Sequence, residues 1–329
     1  MKLTSVEICA GAGGQSLGLE KAKFHHSAVV ELDPDACETL VLNRPKWNVI
    51  ETDVHDFDGR PYRGADLLAG GVPCPPFSIA GKQLGADDER DLFPQALRLV
   101  EEIAPRAVML ENVRGLAGSR FDDYREQILE RLKGLGYVPH WQLFNSSEFG
   151  VAQLRPRFIL VALKPDVDEY FAWPSAVTSP PTVGEELRDL MAADGWPGAD
   201  AWASRANGIA PTLVGGSRKH GGPDLGPTRA RQAWLKLGVD GRSIANFPPT
   251  PDDPIDYTPR LTLEMAARIQ GFDPEWKFYG KKTAAYRQIG NAFPPPVAQA
   301  IGQSIGSAIR KAINVRAAER RSALKAVAV

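Results

Sequence analysis

The chain has little cysteine, almost no excess charge and no long apolar run. Its 329 residues contain only Cys9, Cys37 and Cys74, too few and too scattered for a disulfide framework or a zinc site. A reducing cytoplasm fits that usage. No stretch of 18 apolar residues occurs, which excludes a transmembrane helix. The opening MKLTSVEICAGAGG enters a strand-like segment at once, so no signal peptide is expected. Lys and Arg total 39 against 40 Asp and Glu, a net charge of −1, so any affinity for nucleic acid must come from local patches. The rest is ordinary: 43% apolar and 24% charged residues are near the averages for a globular protein and exclude a disordered or fibrous chain. The length leaves room for one large domain or two ordinary ones.

The first 165 or so residues alternate short apolar runs with amphipathic stretches, as βαβ units do. Strands are expected at Thr4–Cys9, Ser27–Glu31, Asp66–Ala69, Ala107–Leu110 and Arg157–Leu163. A helix should run from Gly14 to Ala22, and another from an Asp33 cap to Asn43. The economical fold is α/β, a Rossmann-like mixed sheet with helices on both faces. From Trp173 to Pro259 the chain is rich in Pro and Gly and its periodicity is poor. The division expected is a catalytic and cofactor-binding domain over 1–172, a smaller loop-rich domain over 173–259, and C-terminal helices over 260–329 that rejoin the first. Helix patterning returns at Leu261–Ile269 and Val297–Ile313. The span Arg310–Lys325, with six basic residues against Glu319, should fray or form a solvated helix.

Four features carry chemistry. Ala10-Gly11-Ala12-Gly13-Gly14 follows the first strand, where glycines let backbone approach a ligand at a helix N-terminus. Glu31 ends the next strand about 20 residues on, where an acid accepts bonds from ribose hydroxyls. Asp53 follows a third strand and could accept from an adenine amino group; a solvated loop is its plain alternative. Gly70-Gly71-Val72-Pro73-Cys74-Pro75-Pro76-Phe77-Ser78 places a thiol at the carboxyl edge of the sheet, in a backbone fixed by three prolines. A lone Cys is more often a small buried hydrophobe, but these polar, proline-locked surroundings suit a nucleophile. Glu111, closing the apolar strand before Asn112-Val113, reads as a general acid beside that thiol. Arg155 and Arg157 lie two apart at the start of a strand and should point to one face, able to hold a base carbonyl, a phosphate or Glu111 itself.

In order and spacing these residues resemble the DNA (cytosine-5) methyltransferases, especially the single-chain bacterial modification enzymes. The glycine turn at 10–14, Pro73-Cys74, Glu111-Asn112-Val113, Gln153 to Arg157 and Gln288-Ile289-Gly290-Asn291-Ala292 all match. Ala210-Pro211-Thr212-Leu213 looks like the Thr-Leu signature of the family's target-recognition domain. Three positions depart: Cys9 stands where the family usually has an aromatic residue on the cofactor adenine, a contact Leu32 could replace; Pro75 replaces a frequent Gln, and Ala80 a Ser. The resemblance implies S-adenosylmethionine as methyl donor, bound by Cys9, Ala10, Gly11, Gly13, Gly14, Glu31, Leu32, Asp53, Val54, Pro73, Leu92, Asn291 and Ala292. It implies covalent catalysis: Cys74 adds to carbon 6 of cytosine, Glu111 serves ring N3, and Arg155 and Arg157 orient Glu111 or bind the O2 side.

The family acts on a base flipped out of duplex DNA, so Ile79 to Arg90, with Gly81 and Gly85, is expected to close as a lid. DNA contacts are expected from Ser78, Lys82, Thr212, Arg218, Lys219, Arg229 and Arg231. Residues 205–242 hold seven basic side chains against Asp224 and Asp240. A functional pairing with a restriction endonuclease is expected, with no stable protein partner and a monomeric chain in a bacterial cytoplasm. Two alternatives stay open: a methyltransferase acting on RNA cytosine, and a DNA-binding regulator without catalysis, against which the intact Cys74 and Glu111 argue.

Overall fold

The computed structural model describes residues 2–73, 91–176, 179–216 and 222–327, with the backbone alone at 325–327. Seven strands form the main sheet. Those near the start are β1 (Leu3–Ile8), β2 (Phe24–Glu31), β3 (Val49–Glu51), β4 (Leu67–Gly70) and β5 (Ala107–Val113). They are followed by β6 (Val138–Asn145), the two-residue β7 (Gln153–Leu154), β8 (Pro156–Leu163) and β9 (Ala210–Pro211). The order is β3-β2-β1-β4-β5-β8-β6, while β7 and β9 pair separately in parallel. The first five strands of the sheet are parallel to their neighbours, and β8 runs antiparallel to both β5 and β6. The chain builds outward from β1 to β3, then returns to start β4 on the other side of β1. That reversal is the switch point at which open α/β sheets leave a crevice beyond the strand ends.

Both faces of the sheet are covered because its strands are apolar on both. In β5, Val108 and Leu110 join one core cluster and Ala107 and Met109 the opposite one, as the period of two requires. Helix α1 (Gly14–Lys21) covers one face together with the 33-residue C-terminal helix Pro295–Val327. The C-terminal helix is longer than the expected Val297–Ile313. Its buried residues stop at Ala312, and the basic stretch beyond lies on solvent-facing turns. The other face is covered by Phe93–Ile103, whose Phe93, Ala96, Leu99, Val100 and Ile103 form one buried stripe, and by Asp122–Gly134. Helix α2 (Pro34–Asn43) starts at an Asp33 cap that accepts from the Asp35 N–H.

A third core starts at Leu17, Val29 and Leu40 and extends beyond these layers. Helices Val183–Ala192, Ala199–Arg205 and Thr228–Lys236 bury Leu187, Trp202 and Trp234 in one cluster with Leu213, Val239 and Ile244. The same cluster takes in Met265 and Ile269 from the helix Leu263–Ile269, and Tyr286 and Ile289 from the helix Lys282–Asn291. Residues 183–244 are thus joined to those two late helices by shared packing. Among the described residues, no helix is long and apolar enough to cross a membrane.

Candidate active site

Two cavities meet at the carboxyl ends of β1, β2, β4 and β5. The first, about 220 Å³, is lined by Cys9, Ala10 and Gly11 after β1, Glu31 at the end of β2, Gln15 of α1, and Asn291, Ala292 and Phe293. The second, about 450 Å³, is lined by Val72 and Pro73 after β4, Asn112, Arg155, Arg157, Thr212 and Leu213. Gly71, Glu111 and Asn291 belong to both walls. A molecule in one cavity and a molecule in the other would therefore meet across Glu111.

Backbone geometry presets the first cavity. The Glu31 carboxylate accepts from the Gly11 N–H at 2.7 Å, and from the N–H groups of Leu32 and Asp33 at 2.9 and 2.8 Å. Three short charge-assisted bonds fix its two oxygens against the glycine turn. Gly13 caps α1, and Gly14 is that helix's first residue. Leu32, expected at the donor, is 60% exposed beside Glu31 but does not line the cavity. Asp53 and Val54 are not in the wall. Asp53 accepts from His55 through both its backbone N–H and its ring Nδ1, and Val54 is buried in the sheet core, its carbonyl accepting from Arg98. Burial, with the Glu31 and Asp53 carboxylates adding to it, holds the Cys9 thiol well above its ordinary range. Cys37 is pushed up to about 12, again by burial first. Both thiols are therefore protonated and poor nucleophiles at neutral pH.

The second cavity is organised around Glu111. Arg157 lies in β8, antiparallel to β5, and its Nε stands 2.5 Å from Glu111 Oε1. Asn112 donates to the Val72 carbonyl at 2.8 Å, tying the chain two residues before Cys74 to the end of β5. The Leu92 N–H donates to Pro73 O at 3.3 Å, and the Leu92 side chain packs on the sheet core. Arg155 departs from the expectation of a matched pair. It lies between β7 and β8, is 1% exposed, and donates to the carbonyls of Leu213 and Gly290, both at 2.8 Å. Only Arg157 pairs with Glu111; Arg155 stitches residue 213 to residue 290. At that stitch a Cβ on Gly290 would fall 2.4 Å from the Gly215 nitrogen, so only glycine lets the two backbones approach.

Sequence reasoning missed several of these groups. Gln153 accepts from the Leu213 N–H and donates to Ile269 O, joining the β7–β9 pair to a late helix. Gln15 and Arg287 line the first cavity; each adjoins a motif already singled out, the glycine turn and Gln288 to Ala292, but neither side chain was named. Thr212, expected from the sequence as a DNA contact, lines the second cavity and donates its hydroxyl to Leu154 O at 2.7 Å. Arg229 and Arg231 lie apart on the helix Thr228–Lys236; Arg231 helps line a separate groove of about 650 Å³ with Arg242 and Arg260. Cys74, Ser78, Lys82, Arg218 and Lys219, and the lid expected over 79–90, fall outside the described residues.

Residues 3–307 match the family model of the C-5 cytosine-specific DNA methylases. The chain belongs to that family. It is 60% identical to the Type II methyltransferase M.NaeI of Lentzea aerocolonigenes, over 93% of this chain and 75% of that protein. It is 53% identical to the Type II methyltransferase M.NgoMIV of Neisseria gonorrhoeae, over 94% and 99%. A DNMT2 variant from Spodoptera frugiperda has a TM-score of 0.65 at 14% identity, over 92% of this chain and 99% of that one, a likeness of fold. The protein is a DNA (cytosine-5) methyltransferase, and S-adenosylmethionine is its methyl donor.

The first cavity fits that donor. It joins a fixed carboxylate to apolar walls at Ala10, Ala36 and Ala292, and it contains Gln15, a buried amide whose oxygen and nitrogen have no partner among the described residues. Among the described residues no group of three or more His, Cys, Asp and Glu could hold a metal ion.

Proposed function

We propose that this methyltransferase modifies one cytosine within a specific sequence of double-stranded DNA, as the modification partner of a restriction endonuclease. The observation that carries the reading is the pair of cavities that share the Glu111 wall. The names of the two relatives above, both Type II methyltransferases, support the pairing with an endonuclease. Residues 173–259 are assigned to target recognition, the chain is taken to act as a monomer, and the basic side chains Arg229 and Arg231 to contact DNA.

In this reading the donor lies in the first cavity with its ribose on Glu31, and the flipped cytosine in the second. When bound, S-adenosylmethionine supplies the methyl group that carbon 5 takes. The thiolate of Cys74 adds to carbon 6, and the electron pair displaced from the ring gives carbon 5 enamine character. Glu111 hydrogen-bonds or protonates ring N3, which stabilises the charge that the addition pushes into the ring. Arg157 holds the Glu111 carboxyl in place through Oε1, and Asn112 holds the segment that leads to Cys74. Loss of the carbon 5 proton expels Cys74 and restores the aromatic ring. Methylation-sensitive sequencing of DNA from cells expressing the protein tests the reading: modified cytosines should fall at one position of one short motif. Methylation scattered without a motif, or confined to RNA, would contradict it.

A further inference from the structure

Pro73 leads directly into Cys74, and its carbonyl is that of the peptide bond joining the two. That carbonyl accepts from the Leu92 N–H at 3.3 Å, which is long for a backbone hydrogen bond. The residue before Leu92 supplies a firmer anchor. Asp91 is 4% exposed, a burial that a carboxylate tolerates only when its oxygens are met. One oxygen accepts from the Phe93 N–H at 3.1 Å, and the other accepts from the Tyr124 hydroxyl. Tyr124 belongs to the first turn of the helix Asp122–Gly134, in the layer that covers the sheet, and lines neither cavity. Its ring meets that of Phe93 edge to face with centroids 6.1 Å apart, so packing fixes where the hydroxyl sits.

We propose that Tyr124 positions the nucleophile of this enzyme from outside the site. Its hydroxyl holds Asp91, Asp91 fixes the backbone at Leu92, and Leu92 fixes the peptide plane that enters Cys74. Tyr124 is a positioning residue, touching neither the donor nor the base. A thiol displaced by about 1 Å from carbon 6 loses on the order of a hundredfold in rate, although no binding surface has changed. The inference rests on Cys74 being the nucleophile, the reading given above.

The test uses two variants of the full chain that cut the same link from opposite sides. Tyr124→Phe removes the hydroxyl alone and keeps the ring against Phe93. Asp91→Ser leaves a hydroxyl that can still accept from the Phe93 N–H but is too short to reach Tyr124. With saturating S-adenosylmethionine and DNA, single-turnover methylation should fall about ten- to hundredfold in each. Adduct formation on DNA carrying 5-fluorocytosine at the target should slow by the same factor. The double variant should be no slower than the slower single one, because the link is already broken. Donor affinity by calorimetry and DNA affinity should stay within about twofold of wild type, which a general loss of structure would not allow. A wild-type rate in Tyr124→Phe would overturn the proposal. So would a fall in rate matched by equal losses of both affinities, or two effects that multiply in the double variant. A wild-type adduct on Cys9 or Cys37 would instead overturn the reading of Cys74, and the role of Tyr124 with it.

Discussion

The first cavity, proposed above as the donor cavity, and the arginine groove on the helix Thr228–Lys236 both contain paired carboxylates, but different partners hold them. Glu31 is met by three backbone N–H groups, fixed by a strand end and a glycine turn. Asp240, in the groove wall, is met by two long side chains: Arg242 and Arg260 each place Nε 2.9 Å from it. Those arginines pull the Asp240 carboxyl well below its usual range, Arg242 foremost. Backbone donors cannot leave, so the donor cavity is set before any ligand arrives. Arginine side chains can exchange a carboxylate for a phosphate, and the exposed part of such a pairing weakens with salt. The groove is thus adjustable where the donor cavity is rigid, and Leu235 and Tyr257 lie exposed along it.

The comparison can be broken first at Glu111. Glu111→Gln keeps the shape of the shared wall but removes the exchangeable proton and the charge paired with Arg157. The methylation rate should fall by about 10²- to 10⁴-fold, while donor affinity changes by less than about tenfold in calorimetry. An equal fall in affinity would mean that Glu111 serves the donor cavity rather than the base.

A smaller effect is expected at the groove. Replacing Arg229 and Arg231 together with Ala should lower the log–log salt slope of DNA binding by about 1.8, roughly 0.9 for each lost phosphate contact. Donor affinity should not move. An unchanged slope would make that helix a solvated face and erase the contrast.

The smallest effect concerns stability beneath the donor cavity. Glu7, in the middle of β1, is fully buried, and burial raises its carboxyl to about 8, with Glu31 adding to the rise and Ser16 opposing it. A carboxyl raised in the folded state favours folding while protonated, so its contribution falls as pH climbs from about 4.5 to 8. His26, 4.0 Å away, is lowered to about 4 by burial, so it favours the folded state above its unfolded value of 6.5 and costs stability as pH drops from there. Glu7→Gln should therefore flatten the loss between pH 6.5 and 8, a gain of a few degrees in Tm at pH 8. Melting curves with the same pH dependence in both proteins would refute the burial of a protonated Glu7.

Legibility in the sequence followed the range of the interactions. β1, α1, β2 and α2 could be read because their cause is local: apolar alternation, a glycine turn, and the Asp33 cap. The helices between 183 and 236 could not, since what orders them is a core around Trp202 and Trp234 assembled with residues 261–292. β6 was missed because it is an edge strand whose one buried side chain is Phe144, and so lacks a clear alternation. In the site, Glu31 and Glu111 were legible because an acid closing an apolar strand stands out. The separate work of Arg155 was not: its two acceptors lie 58 and 135 residues away in the chain. Gln15 follows the glycine turn but was not singled out, since the sequence does not show that it and Ser16 are buried side by side at the start of α1.

The central claim, that Cys74 is joined covalently to the base, is tested most directly with DNA carrying 5-fluorocytosine at the target site. Fluorine cannot leave carbon 5 as a cation, so the cycle should stop after methyl transfer with the base still attached to sulfur. A denaturant-stable adduct should form only when S-adenosylmethionine is present, mass spectrometry should place it on Cys74, and Cys74→Ala should lose both the adduct and methylation while still binding DNA. An adduct on Cys9 or Cys37, whose thiols burial keeps protonated, or full methylation by Cys74→Ala, would contradict the account.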